Sequence, residues 1–333
     1  MSKKVISELE RLSKLIHKAV LLTIRKPLIA DANLKERISY SIDDIGLKLR
    51  PYLAIKGAQL GGLKESKIIT TATAIEFLQL STLVIDDILD ESLRRNNKQS
   101  CFKKFGDKES ILIGDYLRNI SYDLIFSQKK SFSEKKMFST ITYLEEAYQS
   151  ITIGQFNDLQ SSHLPIMSEQ KYFKLIELTT GIFIRNSLLI GASLSDLPPE
   201  QILQLKKYGH YLGIAYQLRD DILDIIGEEK FTGKEPLIDI KNKRYRLPVI
   251  YLLTKGNENH KKHFQKIAKK KTITHKDEDN LALILNESYA IKYSVNKAKL
   301  LCEKAKKGIT TFPESEIKQE LIELADIISS FEN

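Results

Sequence analysis

Apolar residues recur along this chain with the spacing of amphipathic helices, not with the alternation of strands. In 5–24 they fall at Leu9, Leu12, Ile16, Val20 and Ile24, and Pro27 stops the run. A second periodic stretch covers 34–49, and Arg50-Pro51 opens the next element. Helical patterns follow at 65–93, 110–126, 135–160, 169–194, 200–226 and 247–255, and 277–307 and 314–331 complete the chain. Pro198-Pro199 marks a break just before one of them, where proline is tolerated. Short β-branched runs between tight turns are nearly absent. The pattern predicts an all-α fold. No linker rich in Pro, Gly or Ser divides the chain, so one domain over 1–333 is expected, and 228–246 is its longest polar interruption.

Two of these stretches carry charge inside an apolar run. In 81–95, STLVIDDILDESLRR, the aspartates Asp86, Asp87 and Asp90 interrupt Phe77, Leu78, Leu80, Leu83, Val84, Ile85, Ile88 and Leu89. On a helix Asp86 and Asp90 stack on one face, with Asp87 beside them. Carboxylates held this close repel one another and are costly to desolvate unpaired. A hard cation resolves the conflict, and Mg2+ often shares one or two carboxylates with substrate phosphates. A lone DDxxD reads more simply as a solvated acidic turn. The same five letters return at 220–224 in AYQLRDDILDIIG, with Asp220, Asp221 and Asp224. If the two helices face each other across a cavity, six carboxylates line it and hold a cluster of Mg2+ ions. The natural guest of such a cluster is a diphosphate.

Composition narrows the setting. With 42% apolar and 29% charged residues and only eight prolines, the 333-residue chain reads as folded and globular, not disordered. The net charge is +9, and much of the basic excess sits in 260–276 and 304–307. These read first as solvated helix faces and loops. Attraction to anionic lipid is the sharper alternative, and nucleic acid comes third because no binding motif accompanies the charge. Cys101 and Cys302 lack metal-site spacing and imply a reducing compartment. The start, MSKKVISELERLSK, has no continuous apolar core of a signal peptide, and no apolar run approaches a membrane span. A cytoplasmic location without a transmembrane segment is expected.

Taken in order, these residues resemble the trans-isoprenyl diphosphate synthases, or polyprenyl synthetases, from about 38 to 248, and the all-helical remainder suits the fold this implies, an all-α single large helical bundle around a central cavity. The resemblance implies an electrophilic chain elongation. Mg2+, three ions with the diphosphate, draws the diphosphate off an allylic substrate; isopentenyl diphosphate attacks the carbocation, and a proton is lost. Asp86, Asp87 and Asp90 match the first aspartate-rich motif, and Asp220, Asp221 and Asp224 the second. Arg94 and Arg95 match the arginine pair serving the two diphosphates, whose forks suit phosphate oxygens. Arg50 matches the arginine of GGKRLRP, and Gln79 takes the place of a His or Gln that contacts isopentenyl diphosphate. Gly154, Gln155, Asp158 and Leu159 match GQxxDL; Thr180 and Gln217 match polar residues facing the allylic end and the cation. Lys234, in Thr232-Gly233-Lys234, matches the lysine of a loop that closes over the metals. Singly, Arg50, Gln79 and Gln155 read equally well as ordinary surface or helix polars. Their order along the chain is what favours the functional reading.

Several positions depart from the family pattern. A lysine that binds isopentenyl diphosphate is Leu47 here, with Lys48 beside it as a partial substitute. The lysine before Thr180 is Thr179, the glycine after Lys234 is Leu237, and the later lysine is Arg244, or Lys243 under a one-residue shift. Each lost ammonium removes a charge-assisted contact of about 1.5–3 kcal/mol. Two rivals follow: a terpene cyclase, disfavoured by the second DDILD and by Arg50, Gln79 and Arg95; and a non-catalytic subunit of a heteromeric synthase, disfavoured by the six retained aspartates. The resemblance also implies a homodimer. Where farnesyl-forming relatives carry bulky aromatics, this chain has Ser81 and Thr82, so the tail is expected to run deeper, to Leu78 or Ile75 or to a residue of a neighbouring helix, giving a product longer than farnesyl diphosphate.

Overall fold

The computed structural model of the chain describes residues 3–25, 31–42, 46–95, 98–161, 166–227, 237–270 and 272–331. As the periodicity predicts, these are almost entirely helical. Among them the strands are β1 (Arg94–Arg95) and β2 (Lys98–Gln99), an antiparallel pair that places Arg94 opposite Gln99. The chain divides into two compact units, each assembled from separate segments.

The first unit comprises Met1–Gln149, Phe183–Lys207 and Gly308–Leu324. In α1 (Lys3–Arg25) the stripe Val5, Leu9, Leu12, Ile16, Val20 and Ile24 is buried, as its spacing requires. The expected helix 34–49 is shorter: α2 (Ala32–Ile42) stops, 46–48 are not helical, and α3 (Leu49–Leu60) begins afresh. Helices α3 and α4 (Glu65–Leu89) bury nearly every residue along their middles, the mark of core helices, not of one-sided surface helices. α4 ends before the expected 93, because Asp90 caps it and Glu91 turns to φ 49°. The chain then folds back through β1 and β2 into α5 (Cys101–Phe126), whose first turn is capped by the Ser100 hydroxyl accepting from Lys103 N–H at 3.0 Å. Gly106, at φ 81°, kinks α5, and a Cβ at Gly114 would meet Ile85 Cδ1 at 2.8 Å. α6 (Glu134–Ser161) begins in this unit and ends in the other.

The second unit comprises Ser150–Ile182, Tyr208–Lys307 and Ala325–Asn333. The expected helix 169–194 is present as α7 (Glu169–Ile176), a π-helical turn (Glu177–Gly181) and α8 (Ile182–Leu194). π turns are rare and frequent at functional sites. α9 (Pro199–Ile226) is followed by α10 (Ile238–Lys241), α11 (Leu247–Lys255), α12 (Glu258–Ala268), α13 (His275–Glu287), α14 (Ala290–Lys307) and α15 (Glu316–Ser329), the last beginning in the first unit. The expected single helix 277–307 is two, broken where Tyr289 takes φ 62°. α12 was expected only as basic loop or helix face; it buries just Phe264 and Ala268, too thin an apolar signal for periodicity to register. Against the expectation that no apolar stretch approaches a membrane span, α4 and the run Glu169–Leu194 are long and apolar enough to cross a bilayer; both are mostly buried inside the protein, as core helices are.

Candidate functional site

The last turn of α4 splits its three aspartates into two kinds. Asp87 is 2% exposed and is gripped by Arg95, Nε to Oδ2 at 2.8 Å and Nη2 to Oδ1 at 2.7 Å. The hairpin brings Arg95 back to its own helix, and Ser92 N–H donates to the Asp87 carbonyl at 2.9 Å. Burial pushes the Asp87 carboxyl up from its ordinary range, while Arg95 pulls it back. Asp86 and Asp90 are only half-buried, Asp86 with an oxygen 3.9 Å from Arg95 Nη2. Arg94 is exposed beside them.

Other expected residues of this unit also have defined places. The Arg50 guanidinium lies over the Phe183 ring at 4.9 Å. Gln79 is half-buried with its Oε1 accepting no hydrogen bond, an acceptor left over inside the protein. Leu47 is 66% exposed, so its position is open to solvent. Lys48 does not stand in for the missing lysine: it is buried, its Nζ 2.7 Å from Glu76 Oε1 and its N–H bonded to Ser13 Oγ at 3.1 Å. Adjacent residues at a helix start point apart, which is why the substitution fails. Ile75, Leu78 and Ser81 are fully buried, and half-buried Thr82 turns its hydroxyl onto the Gln79 carbonyl at 2.8 Å.

In the second unit the same pentapeptide is held differently. Asp221 is buried; Tyr172 Oη donates to its Oδ2 at 2.6 Å, and Gln217 Nε2 to its Oδ1 at 2.7 Å. Thr180 Oγ1 in turn donates to Gln217 Oε1 at 2.6 Å. A row therefore runs from the π turn through α9 to Asp221, and it fixes which end of the Gln217 amide faces the carboxylate. Burial raises Asp221 to about 7; Arg246 opposes the rise and Asp239 adds to it. Asp224 is likewise raised to about 7, by burial and then by Asp239. Asp220 is exposed.

Three residues of this cluster were not foreseen: Tyr172, Asp239 and Arg246. Arg246 is held by both Asp158 oxygens, at 3.2 and 3.3 Å, and by Asp239 at 3.2 Å. Burial works against its charge, but Asp239, Asp158 and Asp221 outweigh that and raise its pKa. Arg244 Nε stands 4.0 Å from Asp158, so Asp158 of the expected GQxxDL group serves these arginines. A tyrosine on the apolar face of α7, whose hydroxyl needs a partner, was the available signal for Tyr172; Asp239 and Arg246 lay hidden in the polar interruption.

Leu237, where the resemblance expects glycine, takes a left-handed φ of 58° while almost fully buried, and its N–H donates to the Asp224 carbonyl at 2.8 Å. That conformation is strained for a leucine and free for a glycine. Asp224 Oδ1 accepts from Ile238 N–H at 3.3 Å, tying the motif to α10. Thr179 does not project as a lysine would: its hydroxyl donates to the Leu175 carbonyl at 3.2 Å, and a Cβ at Gly154 would meet its Cγ2 at 2.7 Å. Gln155 is half-buried next to this contact. Thr232, Gly233 and Lys234 lie outside the described residues.

Among the described residues no three His, Cys, Asp or Glu side chains gather into a ready metal cage. The donor chemistry nevertheless fits a hard cation. All the candidates are carboxylate oxygens, and in the second unit two of them are raised to about 7 with a third acid, Asp239, close by. A divalent cation would draw those carboxyls back into the ionised range.

Known proteins share this sequence and architecture. The octaprenyl diphosphate synthase of Haemophilus influenzae is 28% identical over 86% of this chain and 84% of its own. The geranylgeranyl pyrophosphate synthetase of Pyrococcus horikoshii has the same fold, with a TM-score of 0.90, 25% identity and coverage of 99% of both chains. A polyprenyl synthase of Caulobacter crescentus, crystallised with calcium and isoprenyl diphosphate, superposes with a TM-score of 0.86 at 25% identity, over 97% of each chain. The sequence model of the family described as Polyprenyl synthetase matches residues 31–286. That span holds both aspartate clusters, the arginines beside them and the Thr180–Gln217–Asp221 row, and by it the chain belongs to the polyprenyl synthetase family.

Proposed function

We propose that this chain condenses isopentenyl diphosphate with an allylic diphosphate, making a prenyl diphosphate longer than farnesyl. The observation that carries the reading is the pair of DDILD clusters, each embedded in a defined polar network within a family-wide match. Asp86, Asp90, Asp220 and Asp224 would hold Mg2+, and Asp87 and Asp221, whose oxygens already accept protein hydrogen bonds, would serve with their remaining lone pairs. The ions, three with the diphosphate in this reading, supply charge neutralisation to the leaving group.

The chain's own residues do the rest. Arg50, Arg94 and Arg95 bind diphosphate oxygens through guanidinium forks, with Arg95 also anchored on Asp87. The Gln79 side-chain amide contacts isopentenyl diphosphate through its N–H donors, and Gln155 and Arg244 add polar contacts to substrate. Thr180 and Gln217 present fixed dipoles toward the allylic end, and Lys234 would serve the diphosphate as the lysine of the family pattern. Ser81 and Thr82 leave room for the tail, and Leu78 and Ile75 limit it. The Haemophilus influenzae relative, an octaprenyl diphosphate synthase, supports the longer product; the Caulobacter crescentus structure supports a divalent cation and an isoprenyl diphosphate on this fold.

Two further readings belong to the proposal. The chain works as a homodimer, supported by the exposed apolar side chains Ile111, Leu112, Phe126 and Phe138 in the first unit. It acts in the cytoplasm, supported by two free, buried cysteines. The test is incubation of the purified chain with Mg2+, labelled isopentenyl diphosphate and a series of allylic primers. Label in an acid-labile product longer than farnesyl is expected. Release of diphosphate from the allylic substrate alone would mark a cyclase, and no turnover without another subunit would mark a partner-dependent chain.

A further inference from the structure

We propose that the solvent face of α12 docks the protein onto an anionic lipid surface. The net charge of +9 is not spread along the chain: residues 255–276 hold eight lysines against one acidic residue, Glu258. The segment's charge is therefore concentrated, while the rest of the chain is nearly balanced. α12 orders this charge. Its buried side is Phe264 and Ala268, and Lys262, Lys266 and Lys269 all lie exposed on the opposite side, at the i, i+4, i+7 spacing that makes one stripe. His263 and Lys270 flank the stripe, both exposed.

The three lysines of the stripe are available. Glu258 is engaged with Lys261 at 3.0 Å, and Asp277, on the neighbouring helix α13, with Lys270 at 2.6 Å. Among the described residues no carboxylate pairs with Lys262, Lys266 or Lys269. Three ammonium groups kept side by side without counter-charges repel one another, an arrangement that an opposing sheet of negative charge relieves.

The kind of charge points to lipid. Residues 255–276 contain no arginine, so the guanidinium forks that read phosphates in fixed geometry are missing. Their one aromatic, Phe264, is buried, so no ring is offered for stacking on a base. What remains is a row of compact point charges, which suits a plane of mobile anionic headgroups better than a nucleic acid. Docking there would also place the enzyme where a long prenyl chain leaves water. The assignment itself rests on the charge pattern and stands whatever the product length.

Each lysine near such a surface contributes about fivefold at low salt, so Lys262→Gln/Lys266→Gln/Lys269→Gln should weaken vesicle binding by about a hundredfold. The experiment is co-sedimentation of the full chain with phosphatidylcholine vesicles, with and without phosphatidylglycerol, at low and high salt. Binding is expected only to the anionic vesicles and only at low salt. A control triple, Lys129→Gln/Lys130→Gln/Lys135→Gln, removes the same charge from exposed positions of the other unit and should bind like the wild type. Circular dichroism checks that both triples fold, and the single Lys266→Glu gives a second reading of the stripe. The proposal is overturned if the wild type ignores anionic vesicles, or if both triples lose binding equally. Wild-type retention on single-stranded RNA at salt that abolishes vesicle binding, lost in the stripe triple, would reassign the face to nucleic acid.

Discussion

The two DDILD pentapeptides are identical in sequence and are held in opposite ways. In the first, the buried central aspartate Asp87 meets a full positive charge, the Arg95 fork, supplied eight residues later by a hairpin. In the second, Asp221 meets two neutral donors, Tyr172 and Gln217, while the cation Arg246 bonds Asp158 and Asp239 and acts on Asp221 only through its field. Burial therefore goes largely uncompensated in the second cluster, and Asp221 and Asp224 both rise to about 7. A pentapeptide sets where carboxylates stand; residues from elsewhere decide how much charge they carry. The first cluster is partly neutralised by a cation of the protein itself, whereas burial leaves two carboxyls of the second raised to about 7.

The harshest way to probe the pair is to remove one outward carboxylate from each. Asp86→Ala and Asp220→Ala should each lower kcat by about 10²–10³-fold, since each takes away transition-state charge stabilisation, with little loss of folding because neither side chain is buried. Near-normal turnover in both variants would sink the assignment.

Removing the inner partners separates the clusters. Arg95→Gln strips Asp87 of a charged, two-pronged partner and should cost about 1.5–3 kcal/mol of stability by denaturant unfolding. Tyr172→Phe removes one neutral hydrogen bond and should cost about 1 kcal/mol, while raising the pKa of Asp221 further, because that bond favours the ionised form. Equal stability losses would erase the proposed difference.

The raised carboxyls carry a pH signature. Without metal, Asp221 and Asp224 keep their protons in the folded state from the ordinary value of 3.8 up to about 7, where the unfolded chain has released them. The folded state then binds more protons, so metal-free stability should fall as pH rises through that window. Mg2+ with inorganic diphosphate should flatten the slope. A melting temperature that climbs from pH 5 to 7 without metal would contradict this sign.

Smaller effects are expected at the departures. Leu47→Lys, at an exposed position, should lower KM for isopentenyl diphosphate by up to about tenfold. Thr179→Lys should gain less for the allylic primer, because Thr179 is packed on Gly154; a larger gain there would reverse the order. Ser81→Phe should shorten the product, and an unchanged product would place the floor of the pocket elsewhere.

The helices were legible because burial leaves a period, and α1 shows it residue by residue. The limits of α4 and of the α13–α14 pair were not, since Glu91 and Tyr289 end regular structure through positive φ values that hydrophobic spacing does not encode. The aspartates were visible as charge where apolar residues belong. Their partners were not: Tyr172 reaches Asp221 from 49 positions away, and Arg246 reaches Asp158 from 88, through packing that no local pattern records. Lys48 misled for the same reason, its buried partner Glu76 being distant in sequence.

The contrast between the clusters is tested most directly by counting protons. Mg2+ with inorganic diphosphate is titrated into the metal-free chain near pH 6.5 by calorimetry, in buffers of different ionisation enthalpy. Proton release is predicted for the wild type, reduced by roughly half in Asp224→Asn, where Asp221 still gives up its proton, and largely kept in Asp87→Asn. Binding that releases no proton, or a release that disappears with Asp87→Asn and survives Asp224→Asn, would contradict the account.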